Sequence, residues 1–162
     1  MDWRPVRRKM RGKVAMLDVK DQEQPRPLGM TLLTGLYLFL LIVSLSTYGN
    51  PFPFMGKVHT GLSARFLVFC DSLICLYLFL GIMKRQYLTW FLAIGYNLFE
   101  VVNTIVNLNF IKLSELEQAL CTPISSEGLQ TNNIMASLAI LLLTQYIYRS
   151  KPYFTNRQLY LF

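Results

Sequence analysis

The stretch LSARFLVFCDSLICLYLFLGIMKRQYLTWFLAIGYNLFEVVNTIVNLNFI, Leu62–Ile111, decides the fold. It holds two apolar segments, Leu62–Met83 and Leu88–Ile111, each close to the ~20 residues that cross a ~30 Å hydrocarbon core. The link between them, Lys84-Arg85-Gln86-Tyr87, is so short that the two segments must form an antiparallel helical hairpin. Two further apolar stretches flank this hairpin, Leu28–Tyr48 before it and Asn132–Tyr148 after it. The expected fold is therefore all-α, a membrane four-helix bundle with spans at about 28–48, 62–83, 88–111 and 132–148. Residues 1–27 form a basic arm and linker, and residues 150–162 a tail.

Charge orients the bundle. Of the 16 Lys and Arg, 13 lie in the arm, the link between the second and third spans, and the tail. The other face keeps only Lys57, Arg65 and Lys112. By the positive-inside rule both termini are cytoplasmic, in a multi-pass protein of the cell membrane. The net charge of +7 is better matched to an anionic inner leaflet than to nucleic acid, because the basic residues flank the first span. The start does not read as a cleavable signal, since its charged region is long and its apolar segment is a full span.

In the arm, Trp3, Val6, Met10, Val14 and Leu17 recur at steps of three and four. Arg7, Arg8, Lys9, Arg11 and Lys13 lie among them. One reading is an interfacial amphipathic helix that rests on the bilayer through Trp3 and these basic side chains. The other is an unstructured arm that only enforces orientation. The linker Asp18–Pro27 leads into Arg26-Pro27-Leu28-Gly29-Met30-Thr31-Leu32-Leu33.

That RPLGxTLL-like phrase, with the basic link Gly81-Ile82-Met83-Lys84-Arg85-Gln86 before the aromatic-led Tyr87-Leu88-Thr89-Trp90, resembles a group of small prokaryotic four-helix membrane proteins. The resemblance covers about residues 26–149 and implies a four-helix fold with no particular chemistry. The long basic arm departs from the group's pattern.

The chemical signal lies in the polar residues of the second and third spans. At 100° per residue, Asn97, Glu100, Thr104 and Asn107 share one face, with Asn103 on its edge. Such a stripe must face the bundle or a wet cavity, because lipid offers no hydrogen bonds. Asp71 on the second span and Glu100 on the third are expected at similar depth, within reach of one another, with Arg65 nearer the outer surface. With no basic residue at that depth, the two carboxyl groups are not expected to be ionised together. Intramembrane acids carry a presumption of function. The candidate ligand or ion site is Asp71, Glu100, Asn97, Asn103, Asn107 and Arg65.

Other features read as structural. His59 has no second ligand at helical spacing, and Cys70, Cys75 and Cys121 make no CxxC pair. No nucleophile elbow, phosphate loop or zinc spacing occurs, so catalytic residues, cofactors and metals are not expected. Tyr and Trp collect at the expected membrane borders. The outer segment Gly49–Gly56 is expected as an irregular interfacial loop, Leu113–Leu120 as an extension of the third helix, and the apolar tail as a leaflet or subunit contact.

Three functional readings follow. The first is a non-enzymatic accessory or scaffold subunit, packing against itself or other membrane subunits. The second is a small transporter or ligand-binding membrane protein built on the carboxylate and Asn cluster. The third is a membrane enzyme acting on a lipid-like substrate with Asp71 and Glu100 as acid and base.

Overall fold

A computed structural model of the protein describes residues 27–120 and 125–157. The arm residues Trp3, Arg7, Arg8, Lys9, Arg11 and Lys13, and with them the choice between interfacial helix and unstructured arm, lie outside the described residues, as does Cys121.

The chain is predominantly helical. Helix α1 runs Leu28–Ser46, and a two-stranded hairpin follows, β1 at Phe52–Phe54 and β2 at Lys57–His59. Then come α2 at Gly61–Met83, α3 at Tyr87–Phe110, α4 at Leu113–Leu120 and α5 at Ser126–Arg149. Helices α1, α2 and α3 are long and apolar enough to cross a membrane. Their outward faces are covered with large aliphatic and aromatic side chains such as Leu32, Phe39, Phe66, Phe69, Phe91 and Ile105. That pattern suits lipid, since a water-facing helix would carry polar residues on that side.

Helix α5 is equally long at 24 residues, but its first turns, with Gln130, Thr131, Asn132 and Asn133, are polar. Sequence reasoning starts this helix at Asn132. The structure starts it at Ser126, because the Ser125 side chain caps it by accepting from Gly128 N–H at 3.3 Å. The Ser- and Gly-containing stretch Ser125–Gly128 is thus the cap and first turn of a helix.

Two more outer elements differ from expectation. The segment after α1 is a hairpin, with Phe52 opposite His59 and Phe54 opposite Lys57. Its turn residues Met55 and Gly56 both have positive φ, 47° and 79°, the geometry of a two-residue turn that follows the twist of the strands. Leu113–Leu120 does not continue α3; the chain breaks at Ile111, whose backbone is extended, and starts a separate helix.

Helix α1 packs along α2, α2 against α3, and α3 along α5. At one end of the molecule these helices share a core formed by Met30, Leu33 and Tyr37 of α1, Leu78 and Ile82 of α2, Trp90 and Ala93 of α3, and Ile147 of α5. The α2–α3 link closes this end. Gln86 N–H donates to Gly81 O and Arg85 N–H to Ile82 O, the paired bonds of a Schellman cap, with Arg85 at φ 53°. Gly81 lets α3 come close, for a Cβ there would strike Thr89.

The tail belongs to the same end. Asn156 N–H donates to Arg85 O at 3.0 Å and Tyr87 N–H to Asn156 O at 2.8 Å, and Phe154 is buried in the core. The tail as far as Asn156 therefore docks on its own chain. Lys84, Arg85, Arg149, Lys151 and Arg157 fall at this basic end, while the hairpin and α4 occupy the other.

Candidate functional site

The stripe on α3 splits into three tasks. Nearest the core, Asn97 is buried and its Oδ1 accepts from the Tyr37 hydroxyl at 2.9 Å. Its Nδ2 is buried with no hydrogen-bond partner. Farther along, Asn103 and Asn107 hold the hairpin. Met55 N–H donates to Asn103 Oδ1 at 2.9 Å, Gly56 N–H to Asn107 Oδ1 at 2.8 Å, and Asn107 Nδ2 to Pro53 O at 3.2 Å. These bonds satisfy turn groups that the β1–β2 ladder leaves open. Between the two levels stands Glu100, half-buried, with the Asn103 side chain beside its carboxyl.

Asp71 has different surroundings. Tyr96 Oη donates to one carboxylate oxygen at 2.5 Å and Ser44 Oγ to the other at 2.6 Å. Ser44 also bonds Ser72 at 2.9 Å, and Cys75 Sγ lies 3.5 Å from the Tyr96 hydroxyl. Hydroxyl-to-carboxylate bonds of this length are charge-assisted. They tie α1, α2 and α3 together around Asp71. Asp71 and Glu100 interact electrostatically but do not share a hydrogen bond. Neither Asp71 nor Arg65, which is exposed on α2, lines the cavity described next.

That cavity, about 460 Å³, opens at the hairpin end between α3 and α5. Helix α3 contributes Glu100, Asn103, Thr104, Asn107, Leu108 and Ile111; α5 contributes Ser126, Leu129, Gln130 and Asn133. Leu113 and Leu116 of α4 and Phe52 and Pro53 of β1 complete the wall, with Lys112 at the edge. The volume falls in the usual range for small-molecule sites, and the wall is mixed, with about half of its lining residues polar. None of the core residues Tyr37, Leu78, Ile82 and Trp90 lines the cavity.

Comparison with family models, curated proteins and solved structures finds no match. The chemistry of the site must therefore be read from its own atoms.

Of the predicted site residues, the structure brings Glu100, Asn103 and Asn107 to the cavity, leaves Asn97 in the core, and places Asp71 in a separate hydroxyl cluster. Sequence reasoning missed the α5 wall. Its signal was present: Ser126, Leu129, Gln130 and Asn133 recur at the three- and four-residue steps of one helical face. Tyr96 and Ser44, the partners of Asp71, were also missed, because a single Tyr or Ser in an apolar span carries no periodic signal.

Proposed function

We propose that the protein is a ligand-binding membrane protein that takes a small amphipathic molecule from the outer side into the α3–α5 cavity. The observation that carries this reading is a cavity of ligand size with a half-buried carboxyl inside it and a wall of both polar and apolar side chains. In this reading all four long helices span, α5 included, for its 24 residues would extend ~36 Å. The basic end, with Lys84, Arg85, Arg149, Lys151 and Arg157, faces the cytoplasm, and both termini lie there. The hairpin and α4 then form the outer rim.

The packed core at the cytoplasmic end favours binding over a continuous pore. The accessory-subunit reading draws on the lack of catalytic motifs, the short loops, the arm and the apolar tail. Docking of the tail on its own link, through Asn156 and Phe154, removes part of that support.

Native mass spectrometry of the protein, extracted in mild detergent from its own membrane, tests the proposal. The expected spectrum shows the chain with a retained small molecule. That adduct should disappear in Asn133→Phe, which fills the cavity from the α5 side. A bare chain, or a chain bound only to foreign subunits, contradicts the reading.

A further inference from the structure

The cavity's polar groups are not equally available to a ligand, and that inequality identifies the chemical class it accepts. Asn103 Oδ1 and Asn107 Oδ1 are committed to the backbone amides of Met55 and Gly56. The Thr104 hydroxyl donates to Glu100 O of its own helix at 2.9 Å. An inorganic cation would need several oxygen ligands at once, and the α3 amide oxygens best placed to supply them are in use. Groups of three or more His, Cys, Asp or Glu able to hold a metal do not occur among the described residues.

Glu100 is the exception. Its carboxyl lines the cavity, is hydrogen-bonded by the Asn103 side chain but by no hydroxyl donor of the kind that Asp71 has, and feels the negative charge of Asp71. No basic residue of the sequence lies at this depth of α2 or α3; Lys112, which lines the cavity's edge, lies beyond the end of α3. An anion entering the cavity would meet the Glu100 carboxylate, with Asp71 adding to the negative potential, and a neutral molecule would leave Glu100 without a counter-charge. Gln130 and Asn133 of α5 line the same cavity, and Leu108, Leu116 and Leu129 supply its apolar part.

The geometry points to an organic amine as the ligand, its ammonium group on Glu100 and its apolar body against the leucines between α3 and α5. This inference rests on the ligand-binding reading above and adds the sign and class of the ligand.

The test compares three probes of one chain length, octylamine, octanol and octanoate. Each is titrated by calorimetry into the full chain in phosphatidylcholine nanodiscs, with empty discs as the blank. The expected ranking places octylamine tightest, on the order of tenfold over octanol, and octanoate weakest. Glu100→Gln should bring octylamine down to the octanol level, and a far-UV circular dichroism spectrum equal to that of the wild type shows that the variant is folded. If Glu100→Gln does not insert, the wild-type ranking decides alone. Equal binding of the three probes, or a preference for octylamine that survives Glu100→Gln, overturns the amine assignment and leaves the cavity as a general apolar site. Absence of saturable binding by any probe overturns both the assignment and the ligand-binding reading.

Discussion

Tyr96 of α3 donates its hydroxyl to Asp71 of α2 at 2.5 Å, and this bond separates two acids that the sequence places at one depth. With Ser44 on its other oxygen, Asp71 has both carboxylate oxygens satisfied from neighbouring helices. It acts as a fastener. Glu100 has no such hydroxyl partner and reaches the cavity instead.

Tyr96→Phe should therefore destabilise the bundle while sparing the cavity. A hydrogen bond to a charged group contributes about 1.5–3 kcal/mol, and the variant leaves one oxygen of a partly buried carboxylate without its donor. Reversible unfolding in detergent should show a loss of that size, with octanol binding retained. A change below about 0.5 kcal/mol would mean that the bond is not structural.

The hairpin depends on Asn103 and Asn107, whose side chains hold Met55 N–H, Gly56 N–H and Pro53 O. Asn107→Leu keeps the bulk and removes the bonds to Gly56 and Pro53, while Met55 stays on Asn103. Hydrogen exchange should then accelerate at Gly56, with α1 and α2 unaffected. Unaltered protection at Gly56 would show that the strand ladder alone holds the turn.

Two glycine pairs separate backbone strain from contact. Gly49 and Gly56 both have positive φ, but a Cβ at Gly49 meets open space and one at Gly56 meets Phe110. Each Ala variant costs about 1–2 kcal/mol for the left-handed backbone, and Gly56→Ala should cost more than Gly49→Ala. In the helices, Gly81→Ala strikes Thr89 while Gly95→Ala is unhindered. Gly95→Ala should stabilise by about 0.5–1 kcal/mol and Gly81→Ala should destabilise. Thermal unfolding of the four variants checks both orders.

Orientation is open to direct labelling. In intact cells, and in a chain whose native cysteines are replaced by Ser, a membrane-impermeant maleimide should modify Lys57→Cys on the hairpin and leave Arg157→Cys untouched until the membrane is broken. The reverse pattern would invert the topology.

Much of this was legible in the chain because it is carried by local periodicity. The apolar runs fix α1, α2 and α3 to within two residues at every boundary, and the 3.6-residue period brings Glu100, Thr104 and Asn107 onto one face. The rest depends on contacts distant in sequence. Which side of α2 presents Asp71 is set by packing against Ser44 and Tyr96, 27 and 25 residues away. The hairpin was hidden because Phe52-Pro53-Phe54 carries a proline and no alternation of polar and apolar residues. The start of α5 was hidden because Ser125, Ser126 and Gly128 read equally as a turn and as a capped helix. Docking of Asn156 on Arg85 spans 71 residues and leaves no local mark.

The most direct test of the account is the chemical accessibility of Glu100→Cys, in a chain whose three native cysteines are replaced by Ser. A charged, water-soluble methanethiosulfonate is applied from the outer side of the membrane, with Leu98→Cys, on the lipid-facing side of the same helix, as the control. The account predicts rapid modification of Glu100→Cys and none of Leu98→Cys. Protection of both positions would contradict it, because Glu100 would then face no cavity open to the outside.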